Sequence, residues 1–357
     1  MVHAGQPLPL GDRLARPLIV RDQVWPASAV PLVSICCITY NHAPYIRESL
    51  DGFLMQETDF PIEILIHDDA SIDGTADIVR DYAARFPALI KPICQTENQY
   101  SKGTMPNVTF NLPRVRGKYI AICEGDDYWT SPRKLQAQVA FLEANPEFSG
   151  CFHNVEVREG LRASSHKLFL AEDRRKSIAL PELVMGNVIP TLSILTRARY
   201  FKSIPKWLSD MPLGDWPFHV LAAQHGPIGY IDEVFGVYRV HDGGVWSSLA
   251  QHEIYKKSIV VANAIDRHLE FKYSRAIKRR IAFWHYRAAR GMIKAGVGEG
   301  LMGHLVRSLR GDAAEVPKKK VLRLMFRHGA PGLYSRLHWR WQRLNRLMRG
   351  RAERARR

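Results

Sequence analysis

Three carboxylates stand within four residues, Glu124, Asp126 and Asp127, where the apolar run Tyr119–Cys123 gives out into "EGDDYW". A second acidic pair, Asp68 and Asp69, ends the apolar run "PIEILIHDD" in the same way. In an open, mainly parallel sheet, ligands gather beyond the carboxyl ends of the strands, so both clusters can face one crevice. Carboxylates held together repel each other unless a cation or a donor-rich ligand neutralises them. A bound divalent cation is the simplest answer. Oxygen ligands select hard ions, and a few protein carboxylates suit Mg²⁺ or Mn²⁺ completed by a diphosphate and water. No phosphate-cradling glycine-rich loop follows the early strands, which argues against a dinucleotide enzyme or a P-loop kinase.

The elements that must position these groups are legible as an alternation of apolar runs and amphipathic stretches from Leu32 to about Val157, the pattern of an α/β sheet. "LVSICCI" (32–38) reads as a buried strand. After it, Tyr45 to Met55 spaces Ile46, Leu50, Phe53 and Leu54 on one helical face. A second strand covers 61–69, and a helix over 71–86 turns Ile78, Val79, Tyr82 and Phe86 inward. A short strand, 89–94, leads into the polar loop "QTENQYSKGT" (95–104), and a helix over 131–146 opens with Pro132 in its first turn. Residues 158–180 read as an irregular loop, 189–201 as a strand leading into a helix, 212–226 as a helix with Asp215 in its first turn, and 229–247 as a strand followed by a Gly-rich loop.

Charge is divided unevenly along the 357 residues. Residues 1–250 hold 24 Lys+Arg against 28 Asp+Glu, whereas 251–357 hold 27 against 7. This predicts three parts: a lead segment over 1–30, a mildly acidic α/β body over 31–250, and a basic helical extension over 251–357. Within the extension, 333–349 sets Leu333, Leu337, Trp341, Leu344 and Met348 along one stripe with arginines beside it, a composition that suits an anionic membrane surface. The ordinary reading of such a helix is a solvated basic face. Five cysteines form no CxxC pair and read as buried, reduced thiols. With no secretory leader and no apolar run of roughly 18 residues, the expectation is a cytoplasmic protein, peripheral on the inner membrane face if the extension binds lipid.

The ordered series "TYN", "DDASIDGT", "ENQYSKG", "EGDDYW" and "GDW", with "YRVHDGGVWS" beyond it, resembles the inverting family 2 glycosyltransferases from about Val33 to Asn145. The resemblance implies a GT-A-type fold: a Rossmann-like mixed, mainly parallel sheet flanked by helices, its nucleotide-sugar-binding half over 31–150 and its acceptor-side half over 151–250. It implies that Thr39, Tyr40, Asn41, Asn98 and the pair Asp68/Asp69 line the nucleotide pocket, with Asp69 accepting a hydrogen bond from the base. The metal-binding DxD motif falls on Glu124–Asp126, with Glu in its first position and Asp127 following. Asp126 also faces the donor. Asp215 takes the place of the catalytic base, His241 that of a histidine reaching the metal or diphosphate, and Arg239 is placed to face the leaving diphosphate.

The function so implied is transfer of a sugar from a nucleotide diphosphate, UDP being the commonest carrier, to a hydroxyl of a glycan or lipid-linked acceptor in polysaccharide synthesis, with Mg²⁺ or Mn²⁺ as cofactor. A nucleotidyltransferase is disfavoured because no basic glycine-rich loop follows Ile38. The alternatives from another class are a non-catalytic relative and a nucleic-acid binder acting through the Arg-rich extension; the acidic body disfavours nucleic acid as a partner. Trp129 and Trp246 are open to two readings, a lid or stacking surface for sugar and plain buried aromatics.

Overall fold

The structure, a computed structural model, describes residues 13–159, 167–170, 176–244, 248–312, 315–332 and 334. It divides into two compact units, Met1–Ser248 and Leu249–Arg357. In the first, the strands are β1 Leu18–Ile19, β2 Val33–Thr39, β3 Glu57–Thr58, β4 Ile62–Asp68, β5 Ile90–Cys94, β6 Tyr119–Ile122, β7 Tyr128–Trp129, β8 Gly150–Glu159, β9 Lys167–Leu168, β10 Ser177–Ile178, β11 Leu195–Arg197 and β12 Ile228–Val240. Its α-helices are α1 Ile46–Leu54, α2 Thr75–Arg85, α3 Lys134–Ala144, α4 Leu180–Leu183 and α5 Asp215–Ala223.

The main sheet runs in the order β10-β12-β8-β11-β6-β2-β4-β5. β6, β2, β4 and β5 are parallel to one another; β11 is antiparallel to both of its neighbours, and β12 pairs β8 in parallel. This is the mixed, mainly parallel α/β sheet the alternation predicts. β2 and β4 read as unbroken apolar runs because both of their faces are covered; Val33, Ile35, Ile64 and Ile66 are wholly buried. From β2 the chain passes to β4 and β5 on one side, while β6 pairs the other side. That reversal of strand order is where an open α/β sheet leaves a ligand crevice.

Several boundaries differ from the sequence expectation. Residues 71–74 form a turn, and α2 begins only after Gly74, whose φ of +97° ends the turn in a left-handed conformation. Asp73 holds that turn by accepting from the Thr75 N–H and hydroxyl. Pro132 precedes α3 rather than opening it, because its carbonyl accepts from Glu57 N–H. Residues 189–201 make one three-residue strand between two short 3-10 turns instead of a strand and a full helix. Short strands β9 and β10 lie within the stretch read as irregular. Residues 13–30 are not a detached lead: β1 pairs β3, and Val20 is wholly buried in the core of this unit. Of the five free cysteines, Cys94 is only half-buried.

The second unit is helical: α6 Gln251–His268, α7 Ser274–Ala295, α8 Leu301–Ser308 and α9 Lys318–Gly329. Met292, Leu305, Val316 and Val321 form its core, and Lys318, Lys319, Lys320, Arg323 and Arg327 are exposed. The stretch Gly298-Glu-Gly300-Leu-Met-Gly303 has GxGxxG spacing but follows a helix, so it lacks the strand that a dinucleotide loop requires. Apart from Tyr334, the helix expected over 333–349 lies outside the described residues, as does Trp246. No helix among the described residues is long and apolar enough to cross a membrane.

One buried cation ties the two halves of the first unit together. Arg197 at the end of β11 donates to the carbonyls of Leu142, Asn145 and Phe148, at 2.7, 3.2 and 2.9 Å, beyond and within the last turn of α3. Those carbonyls have no helical donors of their own. Replacing Arg197 by Met keeps the volume but takes this donor from the Leu142 and Phe148 carbonyls, Asn145 O keeping the Phe148 N–H, and the expected loss of unfolding free energy is about 3 kcal/mol. A denaturant titration with an unchanged midpoint would refute this role.

Candidate functional site

The crevice is lined by loops that follow β2, β4, β6 and β12. β6 continues past Ile122 as a looser ladder: Cys123 N–H donates to Cys36 O, and Gly125 N–H to Ile38 O at 2.9 Å. Gly125 is what lets this loop lie on the end of β2. A Cβ there would sit 2.7 Å from Thr39 Oγ1 and 2.9 Å from Ile46 Cδ1. From the other side the buried Ser49 of α1 donates its hydroxyl to the carbonyls of Gly125 and Asp127. The three carboxylates thus project from a backbone fixed on both faces.

β12 closes the site. Arg239 N–H donates to Asp127 Oδ1 at 2.8 Å, and the Arg239 guanidinium donates to the Asp126 carbonyl at 2.8 Å and pairs with Glu48. The guanidinium lies over the rings of Tyr128 and Tyr45, at 4.4 and 5.1 Å, and the side chain is buried. Arg239 therefore braces the acidic loop against α1. One turn further, His241 Nε2 meets Asp126 Oδ2 at 3.2 Å, and His42 Nε2 approaches the same oxygen at 3.6 Å. Tyr45 packs on His241 with ring centroids 4.6 Å apart.

Electrostatics follow from this crowding. Burial and the neighbouring carboxylates of Asp126 and Asp215 raise the pKa of Glu124. Burial, then Asp126 and Glu124, raise that of Asp127 more strongly. Burial also works against ionised Asp126, but the hydrogen bond with His241 and the two imidazoles outweigh it and hold its carboxyl below the usual range. Asp126 Oδ1 and Asp127 Oδ2 are buried with no hydrogen-bond partner among the described residues. Unpaired buried carboxylate oxygens are costly, and a divalent cation is the group that would satisfy them. The donor set fits one, and two overlapping sets have their ligand atoms within 4.8 Å: Glu124/Asp126/Asp127 and His42/Asp126/His241.

Asp215 opens α5. Burial raises its pKa, partly offset by the hydrogen bond from Asn187 Nδ2 at 2.7 Å. Asn187 is itself fixed, its Oδ1 taking Ile189 N–H and facing Nδ1 of the buried His219, each at 3.0 Å. Asp215 acts on Glu124, and together with Asp127, Glu124 and Asp126 it raises the pKa of Tyr238, after burial. The acid loop and Asp215 therefore share one electrostatic neighbourhood.

The remaining residues expected to line the nucleotide pocket divide into two groups. Thr39 is buried with Oγ1 unpartnered among the described residues, and Tyr40 is exposed. The others hold loops: Asp69 accepts Gln99 and Tyr100 N–H at 2.8 and 2.9 Å, Asp68 accepts from the Ser71 N–H and hydroxyl, Asn41 accepts Ile72 N–H, and Asn98 accepts Ser101 N–H. Trp129 is core, not lid: it is buried against Phe53 and Lys134 and donates to Leu192 O. Sequence reasoning missed His42, Asn187 and His219. For His42 the signal was present, a histidine three residues past the end of a central strand; Asn187 and His219 carry none.

Residues 34–199 match the family model "Glycosyl transferase family 2". The uncharacterized protein Rv1520 of Mycobacterium tuberculosis is 42% identical over 219 residues, 60% of this chain and 61% of that one, so the match spans about three fifths of that relative's length. The Escherichia coli protein WfaP, named as a UDP-Glc:alpha-D-GlcNAc-diphosphoundecaprenol beta-1,3-glucosyltransferase, is 35% identical over 117 residues, 33% of this chain and 43% of WfaP. Among solved structures, Staphylococcus aureus TarS 1–349 shares the fold with a TM-score of 0.55 at 17% identity, covering 81% of this chain and 82% of that one, and the same fragment has been solved with UDP-GlcNAc.

The contact of Gly125 with Thr39 yields a direct check. Gly125→Ala is expected to cost about 1–3 kcal/mol of stability by overpacking and to push the acidic loop off β2. Equal stability of variant and wild type in chemical denaturation would show that the loop is not seated there.

Proposed function

We propose that the chain, whose residues 34–199 match the family model "Glycosyl transferase family 2", is an inverting glycosyltransferase, moving a sugar from a UDP-linked donor to a hydroxyl of a glycan or lipid-linked acceptor in cell-surface polysaccharide synthesis. The observation that supports the reading is the braced acidic loop beyond the strand ends together with a half-buried Asp215 that is held by Asn187 and acts electrostatically on Glu124. The UDP donor and the lipid-linked acceptor are supported by the name of WfaP.

In this reading the acceptor hydroxyl gives its proton to an Asp215 carboxylate oxygen as the hydroxyl oxygen attacks the anomeric carbon. The bond from that carbon to the diphosphate breaks with its electron pair, on the opposite face, and the configuration inverts. A divalent cation, Mg²⁺ or Mn²⁺, when bound by residues drawn from Glu124, Asp126, Asp127 and His241, would offset the negative charge growing on the leaving diphosphate. Asn187 holds the base in one orientation and stabilises its ionised form. Thr39 Oγ1 and Tyr40 are the groups left available to the nucleotide. The loop latched by Asp69 brings residues 98–104 against the same strand ends.

The second unit supplies a lipid-facing role. Exposed Leu322, Val306 and Met302 lie on the same two helices as Lys318–Lys320 and Arg327 or next to them, the mixture of apolar and basic groups that anionic headgroups attract.

Calorimetry is expected to show UDP binding in preference to GDP or dTDP, dependent on Mn²⁺ or Mg²⁺ and lost in Asp126→Ala/Asp127→Ala. Asp215→Asn should keep donor binding yet lower the transfer rate by about 10²–10⁴; loss of binding instead would make Asp215 a structural residue. Because burial raises the Asp215 pKa, the rate of the wild type should fall with decreasing pH through a value above the usual 3.8. Removing the stabilising donor in Asn187→Ala should move that acid limb to still higher pH, and an unmoved limb would count against the assignment. For the membrane role, wild type should float with anionic vesicles more than Lys318→Glu/Lys319→Glu/Lys320→Glu; equal flotation would end it.

A further inference from the structure

The ends of three strands, β2, β6 and β12, bring His42, Asp126 and His241 together. Both imidazole Nε2 atoms face one oxygen, Asp126 Oδ2, at 3.6 and 3.2 Å, and the rings stand nearly perpendicular with centroids 6.1 Å apart. The 3.6 Å separation is too long for a hydrogen bond. It is close to the spacing of two ligands on a common ion, since donors about 2.1 Å from a metal lie roughly 3.0–3.4 Å apart. Asp126 Oδ1 and His42 Nδ1 are buried without a hydrogen-bond partner among the described residues. The backbone of His42 is fixed at both ends: its N–H donates to Thr75 Oγ1 at 2.8 Å and its carbonyl accepts Tyr45 N–H at 2.8 Å.

We propose that the cation of this site is seated by His42, Asp126 and His241, two imidazole nitrogens and one carboxylate, with the buried Asp127 outside its inner ligand set. An ion that also touches a diphosphate arriving from solvent needs ligands at the crevice surface. The side chains of Asp126 and His42 are 16% and 12% exposed, whereas Asp127 is 1% exposed and gives Oδ1 to the backbone of Arg239. Imidazole suits Zn²⁺, Fe²⁺ and Ni²⁺ better than Mg²⁺, so two imidazoles turn the seat towards transition metals where an all-carboxylate seat would accept Mg²⁺. His42 is the residue that makes this difference, since it adds the second nitrogen. The inference rests on the reading of the crevice as a nucleotide-sugar site.

The test uses the full chain, stripped with chelator, and Mn²⁺ as probe. Pulsed electron paramagnetic resonance of the Mn²⁺-loaded wild type is expected to show nitrogen coupling from two imidazoles. His42→Gln should lose one of the two and weaken Mn²⁺ at least roughly tenfold in titration, with Mg²⁺ affinity little changed. The wild-type spectrum needs no variant, so a variant that does not fold leaves the question decidable. Absence of nitrogen coupling, unchanged Mn²⁺ affinity in folded His42→Gln, or no Mn²⁺ binding by folded wild type would each overturn the proposal. UDP titration in the same samples separates the two readings: metal-dependent UDP binding without nitrogen coupling sinks this ligand set alone, whereas no nucleotide binding sinks the donor assignment alone.

Discussion

Asp126 and Asp127 are adjacent carboxylates, Asp127 buried and Asp126 at the crevice surface, and the first unit is arranged around holding them together. The repulsion is not relieved by exposure, because β12 covers Asp127 and its Arg239 guanidinium spans from the Asp126 carbonyl to Glu48. Nor is the backbone free to part them. Gly125 rests on Thr39, Ser49 holds the carbonyls on either side of Asp126, and β7 leads directly into pairing with β12. Each restraint comes from a different element, so the acid loop is fixed only when the sheet, α1 and β12 are all in place.

The same restraints explain why the carboxylates differ in character. Asp126 faces two imidazoles and stays ionised; Glu124 and Asp127 face carboxylates and are pushed towards the protonated form. Sequence proximity would make the three equivalent. Geometry separates them: the turn at Gly125–Asp126 brings Asp126 to His42 and His241, whereas Asp127 is buried against the Arg239 backbone. Asp215 adds a fourth carboxylate to the neighbourhood but is kept apart by its own donor, Asn187, which comes from a stretch with no regular structure.

How much of this was legible depended on range. The strands β2, β4 and β6 and the acidic ends that follow them were readable because each is a continuous apolar run ended by carboxylates. Helix starts were misread at 71 and 131 because the capping of α2 rests on Gly74 and Asp73, and the residues ahead of α3 are held by β3, neither of which is visible as periodicity. Asp69 read as a ligand group from its position, yet its two oxygens hold the backbone of Gln99 and Tyr100, thirty residues away. Arg239 read as a cation for the diphosphate and is instead a brace. Long-range partners decide what a polar side chain is doing, and those partners are set by packing that no local pattern records.

One consequence concerns how an anionic donor can enter an acidic crevice at all. The body carries more acidic than basic residues, its crevice gathers four carboxylates, and its nearest buried guanidinium is already paired with Glu48 and the Asp126 carbonyl. A diphosphate brought against that surface meets repulsion that screening reduces only beyond about 8 Å. Among the described residues, the Arg239 guanidinium that lies against the acid loop is already engaged by Glu48 and the Asp126 carbonyl. A cation seated at Asp126 would supply the offsetting positive charge, and the unpaired Asp126 Oδ1 marks the side on which it would be received.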